Sequence, residues 1–223
     1  MELQTINESN TKQLNSNESK LYINNDVIYK IFNKDIDVSK RVDIIDIFLR
    51  YNITGTPIIY DFIYDNNEIV GYAMKYYKKA KPLSQSMRFK FIKEKCLELI
   101  DIYWNIKDNY NICYYDFHNS NININNHNIL LLDIDSCLER TPETEENSIK
   151  LLIEYIIEMI YKVYFFKFEL YYSKEERQII RRFLYTNLND KEIKSIEDLK
   201  FFVSGVSKKD TQKLLRKIPY KIK

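Results

Sequence analysis

Tyr114-Tyr115-Asp116-Phe117-His118-Asn119-Ser120-Asn121-Ile122, followed by Leu130-Leu131-Leu132-Asp133-Ile134-Asp135, holds the densest chemistry of the chain. It offers an Asp, an Asn five residues on, and further carboxylates at the end of an apolar run. Oxygen ligands converging from a loop and a strand end suit Mg²⁺, a hard cation that keeps waters and shares phosphate oxygens. A carboxylate not needed by the metal can accept a hydroxyl proton. In an Asn-rich chain the same spacing also arises by chance, and the segment alone reads equally as a polar turn between strands.

A second feature lies upstream. In Val27-Ile28-Tyr29-Lys30-Ile31-Phe32 the strand alternation puts Lys30 on the face shared by Ile28 and Phe32. A lysine pointing inward needs an anionic partner, whereas one on an edge strand reaches solvent.

Composition limits the function classes. The chain has 223 residues, 45% hydrophobic and 30% charged, enough for one substantial domain or two small lobes sharing a cleft. Its formal net charge of +2 gives no global attraction to nucleic acid or acidic membrane. Gly55, Gly71 and Gly205 are the only glycines, so no glycine-rich phosphate loop exists. Cys96, Cys113 and Cys137 lack C-x-x-C spacing, which fits a reducing, cytoplasmic setting better than a disulfide framework or a zinc site. His118 and His127 are the only histidines. The wealth of Ile, Asn, Lys and Tyr reads as coding bias. No signal peptide is expected at the polar N-terminus, and no apolar run reaches the ~18 residues of a membrane span.

Local patterns supply the elements. Leu21–Ile23 and Val27–Phe32 flank Asn24-Asn25-Asp26 as a hairpin, and Pro57–Tyr64 and Glu68–Tyr76 flank Asp65-Asn66-Asn67 as a second. Ser39 is expected to cap a helix to about Arg50 with Val42, Ile45 and Leu49 on its buried face. Ser84 to about Asp108 is helical through Ile92, Cys96, Leu99 and Tyr103, with Trp104 as packing. Short strands fill 112–135, with His127 at a solvated tip, and helices follow from about Thr141, with Thr141 as N-cap. Lys150, Glu154, Glu158 and Lys162 mark one side of a mostly buried helix. The aromatic stretch Tyr161–Tyr172 reads as core, and the basic tail from Lys208 to Lys223 as a closing helix with a solvated face. Texture changes from strands to helices near Lys78–Leu83.

Taken together, these motifs resemble the protein-kinase-like superfamily, which includes aminoglycoside phosphotransferases, choline kinases and small atypical kinases. Asp116 to Asn121 looks like the D-x-H-x-x-N catalytic loop, and Leu132 to Asp135 like the I-D-F-D metal motif. Val27 to Lys30 resembles V-A-I-K, and Ala73-Met74-Lys75-Tyr76-Tyr77 followed by Leu83 resembles the hinge, with Met74 as gatekeeper. The resemblance covers roughly residues 15–165. It implies an α+β, bilobal fold without a glycine-rich loop: a polar segment 1–14, a β-rich N-lobe 15–77, a hinge 78–84 and a helical C-lobe 85–223.

The activity so implied is phosphoryl transfer from ATP with Mg²⁺ to a hydroxyl of a protein or small molecule. By resemblance, Lys30 would hold the α/β-phosphates and pair with Asp43. Asp46 is the rival, and spacing favours Asp43. Asp133 and Asn121 would bind Mg²⁺, with Asp135 assisting or capping the next turn. Asp116 would take the acceptor proton, His118 would steady the loop or approach the γ-phosphate, and backbone groups of Lys75 and Tyr77 would bind adenine. Three departures stand out. Asn15 to Lys20 replaces the glycine loop, Asp replaces Glu at position 43, and Tyr115 replaces the Arg of H-R-D, so regulation by a phosphorylated activation loop is not expected. The alternative is a catalytically inactive kinase-like scaffold binding a protein partner. Nucleic acid would be expected only at the basic tail.

Overall fold

Asparagine makes the corners of this fold. Among the described residues, the non-glycine positions with positive φ are Asn25, Asn52, Asn66, Asn67, Asn111, Asn126, His127 and Asp133. A short amide that bonds to nearby backbone tolerates this region better than most side chains. With glycine confined to three positions, the asparagines attributed above to coding bias therefore have a structural use.

The computed structural model describes residues 1–3, 6, 12–15, 18–85, 88–165, 175 and 193–215. Strands β1 (Lys12–Asn15), β2 (Ser19–Asn24), β3 (Val27–Phe32), β4 (Ile59–Asp65) and β5 (Glu68–Lys75) form one antiparallel sheet in the order β1-β2-β3-β5-β4. Asn25 turns β2 into β3, and Asn66-Asn67 turns β4 into β5. Helix α1 (Ser39–Tyr51) connects β3 to β4 and buries Ile44, Ile45 and Phe48. Val42 and Leu49, expected on that face, flank it half-buried. Ser39 is not the cap: Val38 holds that position, and the Ser39 hydroxyl donates to Asp37 at 2.6 Å.

The rest of the described chain is mainly helical. A short strand β6 (Lys81–Pro82) and a 3₁₀ turn precede α2 (Phe89–Tyr110), which starts later than Ser84 but buries Ile92, Cys96, Leu99 and Tyr103 as expected. Trp104 packs half-buried against the core. Strands β7 (Ile112–Cys113), β8 (Ile122–Asn125), β9 (Asn128–Leu131) and β10 (Leu138–Glu139) follow. His127 is exposed at the β8–β9 tip. Helix α3 (Pro142–Phe165) is capped by Thr141, whose Oγ1 accepts from the Thr144 N–H at 3.1 Å. Lys150 is exposed and Glu154 and Glu158 half-buried on a side otherwise flanked by buried Ile and Leu. Helices α4 (Ile196–Gly205) and α5 (Lys208–Leu215) complete the described chain. Of the aromatic stretch, Tyr161 is buried, while 166–172 lie outside the described residues, as do 216–223 of the basic tail and 4–5 and 7–11 of the N-terminal segment. Among the described residues no helix is long and apolar enough to cross a membrane.

One apolar core runs from the inner face of the sheet through α1 into α2 and α3. Ile6, Ile31 and Ile63 form a small second cluster. Two glycines set how closely these parts meet. Gly55, at φ 84°, accepts the Leu131 N–H at 2.7 Å and so grips the strand that leads to Asp133. Gly71 lies across from β3 so tightly that a Cβ would stand 2.1 Å from the Lys30 carbonyl oxygen.

Gly71→Ala is therefore expected to cost about 1–3 kcal/mol in urea unfolding, because backbone rather than a mobile side chain must yield. Gly205→Ala, with open space around the new methyl, is expected to stay within about 1 kcal/mol of the wild type.

Candidate functional site

A cleft of about 1180 Å³ opens between the five-stranded sheet and the loops around β8 and β9, lined by Lys30, Met74, Asp116, Asn121 and Asp133 among others. β3 delivers Lys30 into it almost fully buried. The Lys30 Nζ donates to Asp133 Oδ1 and, at 2.7 Å, to Asp135 Oδ1. It lies 6.0 Å from the ring centroids of both Phe32 and Tyr72.

Asp135 collects the donors of three elements. Oδ1 also accepts from the Tyr72 hydroxyl of β5 at 2.7 Å, and Oδ2 accepts from Arg41 Nη1 of α1 at 2.7 Å. Both oxygens are thus engaged within the protein, and Asp135 anchors Lys30. Asp43, expected to be that anchor, is exposed, and Asp46 pairs with Arg50 at 2.6 Å. The physical reason is helical phase. Arg41 and Asp43 are two residues apart, about 200° around the helix, so turning Arg41 inward turns Asp43 out.

Burial and charge act on these groups in opposite senses. Burial pushes the Asp135 carboxyl upward, but Lys30, Tyr72 and Arg41 outweigh it and hold the group below its ordinary value. Burial also dominates at Asp133. There Lys30 is opposed by the neighbouring charges of Asp135 and Asp116, and the net direction is upward. For Lys30, burial alone would lower the ammonium; Asp135 and then Asp133 raise it instead.

The opposite wall is the loop before β8. Asn121 Nδ2 donates to Asp116 Oδ2 at 2.5 Å, and His118 Nε2 lies 3.0 Å from Asp116 Oδ1. His118 Nδ1 faces the Ser120 N–H at 3.3 Å and the Ser120 hydroxyl at 2.7 Å. The Nε2 edge of the ring also stands 3.2 Å from the Asn121 amide nitrogen, so His118 packs against both Asp116 and Asn121. The Leu132 N–H donates to the Asn121 carbonyl at 2.8 Å, which holds Asp133 next to this loop. Asn121 spends its amide nitrogen on Asp116, and its Oδ1 remains as an acceptor.

Met74 is buried in β5 and lines the cleft beside Lys75 and Tyr77. The Lys75 N–H donates to the Ile58 carbonyl at 2.9 Å and the Tyr77 carbonyl accepts from Ala80 at 3.0 Å. Tyr115 lines the cleft, and its hydroxyl donates to the Thr144 carbonyl at 2.7 Å.

Among the described residues no three Asp, Glu, His or Cys groups converge as a metal cage. The donor set available is one Asp133 carboxylate and the Asn121 amide oxygen. Two hard oxygens suit Mg²⁺, which completes its shell with waters and phosphates, and do not suit a transition metal.

Arg41, Tyr72 and Glu18 went unnoticed in the sequence. One signal for Arg41 was present: α1 has no acid in its first turn and begins Ser39-Lys40-Arg41. Basic residues at the positive end of a helix run against its dipole and point to an anion nearby.

No family model and no curated protein matches the sequence. Among solved structures the chain is similar to the kinase PK-1 of the Cydia pomonella granulovirus, at a TM-score of 0.59 and 13% identity over 84% of this chain and 90% of that one. The mixed α+β fold, with an antiparallel sheet first and helices after, is kinase-like.

Asp135→Asn is expected to cost about 3–5 kcal/mol in urea unfolding at pH 7, since it removes the buried charge on which Lys30, Arg41 and Tyr72 converge. Asp43→Asn should stay within about 0.5 kcal/mol. Asp133→Asn should unfold no earlier than the wild type, because the folded state disfavours its charge. The pH dependence follows from Asp135. A carboxyl held below its unfolded value contributes stability that is full above about pH 4 and lost as pH falls through the folded value. Thermal unfolding scanned downward from pH 6 should show that loss only below about pH 4.

Proposed function

We propose that this chain is a Mg²⁺-ATP-dependent phosphotransferase that moves the γ-phosphate to a hydroxyl of a protein or small molecule. The observation that supports it most is the meeting of Lys30, Asp133, Asn121 and Asp116 in one cleft beneath Met74. A polar turn or an edge lysine would not bring a buried ammonium, two carboxylates and an amide oxygen together across 103 residues of chain.

In this reading Lys30 exchanges Asp133 for phosphate oxygens while Asp135 keeps its ammonium in place. Asp133 and Asn121 hold Mg²⁺, which when bound neutralises charge on the phosphates. Asp116 orients the acceptor hydroxyl and takes its proton, with Asn121 and His118 beside its two oxygens holding the carboxylate in place. The Lys75 carbonyl and Tyr77 N–H read the adenine. The three free, buried cysteines suit a reducing, cytoplasmic setting.

A non-catalytic scaffold is the second reading, favoured by one contact: Lys30 is bonded directly to Asp133, the residue a metal needs. The two readings part in a single set of samples. With ATP and Mg²⁺, the enzyme reading expects ADP release or added phosphate by intact mass, and thermal stabilisation by nucleotide. Asp116→Ala should lower turnover by about 10²–10⁴-fold and keep the stabilisation. Asp133→Ala should lose both. A wild-type protein with neither turnover nor stabilisation would leave the scaffold.

A further inference from the structure

Arg41 is a cation of the cleft that no kinase-like role above uses. It lines the same space as Lys30, Asp116 and Asp133. Its guanidinium is forked. Nη1 is fixed on Asp135 Oδ2 at 2.7 Å, a side chain 1% exposed, and the planar group lies 5.2 Å from the centroid of the Phe32 ring. Nη2 reaches outward to Glu18 Oε2 at 2.8 Å, and Glu18 is 56% exposed. One arm is thus locked by a buried carboxylate and the other holds a weak surface partner.

Three further facts bear on that outer arm. Arg41 and Lys40 stand in the first turn of α1, where the helix dipole already favours an anion, and Val38 supplies no capping side chain. Glu18 immediately precedes β2, and the sequence from Asn15 to Lys20 contains no glycine. Finally, Lys30 and Arg41 are two cations facing Asp133, Asp135 and Glu18. Once Asp133 is given to a metal and Glu18 is displaced, the two cations retain one carboxylate and present an uncompensated positive charge.

We propose that Arg41 is a phosphate-binding residue that replaces the missing glycine loop, with Glu18 occupying the phosphate position until a polyphosphate displaces it. Arg41 keeps Nη1 on Asp135 and turns Nη2 from the Glu18 carboxylate to a phosphate oxygen. The guanidinium is suited to this because both positions ask for the same planar fork. Exchange is easy because an exposed ion pair contributes little, whereas a phosphate carries more charge into a drier place. The inference rests on the phosphotransferase reading for the identity of the nucleotide, but not for the anion.

Isothermal titration of the full chain tests it, with Mg²⁺-ATP, adenosine and inorganic tripolyphosphate as separate probes. Glu18→Gln is expected to tighten ATP and tripolyphosphate by roughly 3–10-fold and leave adenosine unchanged. Asp35→Asn removes another exposed carboxylate of the cleft rim, and should tighten them far less. Arg41→Gln, if folded by circular dichroism, should weaken both anions by roughly tenfold or more. If it does not fold, Glu18→Gln and Asp35→Asn decide. Unchanged or weaker anion binding in Glu18→Gln, or equal tightening in Asp35→Asn, overturns the inference. Mg²⁺-ATP bound by the wild type with all variants alike removes this inference and leaves the phosphotransferase reading intact. Tripolyphosphate binding that follows Glu18 and Arg41 without any turnover does the reverse. A wild type that binds neither anion removes both.

Discussion

A single buried carboxylate, Asp135, ties the two halves of the cleft together. It takes Lys30 from β3, Tyr72 from β5 and Arg41 from α1, all within 2.7 Å. Three elements of the N-terminal sheet region are thereby joined to one residue of the segment after β9. Bringing those charges out of water is costly, and the interaction stands only because every oxygen of the carboxylate is met. The Phe32 ring beside both cations and the Tyr72 ring beside Lys30 strengthen the interaction.

Asp133 and Asp135 are two residues apart but differ in surroundings: the first is about one-third exposed at 35%, the second 1%. The chain achieves this by placing Asp133 in the left-handed region, at φ 57° and ψ 46°, before a 3₁₀ turn closed by Ser136 on the Asp133 carbonyl. A non-glycine residue held there carries strain on the order of 1–3 kcal/mol, of the kind that persists where a side chain must be aimed. Lys30 can release Asp133 without becoming an unpaired buried charge, because Asp135 still holds it.

The far side of the cleft is fixed by a different network. Only a few residues separate the Asp133 turn from α3, and Arg140 pins that link. Its backbone N–H reaches the Asn111 carbonyl at 2.9 Å, and its side chain meets Glu145 at 2.7 Å and Asp108 at 3.1 Å. Lys107, buried beneath, pairs with the same two carboxylates. Tyr115 adds its bond to the Thr144 carbonyl. A link this short and this bonded has no room for a long loop that folds and unfolds. Movement in response to a ligand is more readily drawn from the other wall, where Glu18 and the first turn of α1 are exposed.

The sequence was legible wherever chemistry and local order coincide. The Asp116–Asn121 loop and the apolar strand before Asp133 are contiguous, and the hairpins announce themselves through Asn pairs whose turn geometry is a property of the residue itself. Lys30 could be placed by alternation alone. What the sequence concealed was which carboxylate answers it, since that depends on two long-range facts: the rotational phase of α1, which one residue of error reverses by about 100°, and the direction of the chain after a left-handed Asp133. Spacing favoured Asp43, and the fold turned that residue to solvent because Ile44, Ile45 and Phe48 claim the buried side. Once those three set the phase, Arg41 must face the cleft, and a cation there cannot stand without a carboxylate. The choice of Asp135 over Asp43 thus follows from the packing of one helix, a constraint that becomes visible only when its apolar face is known.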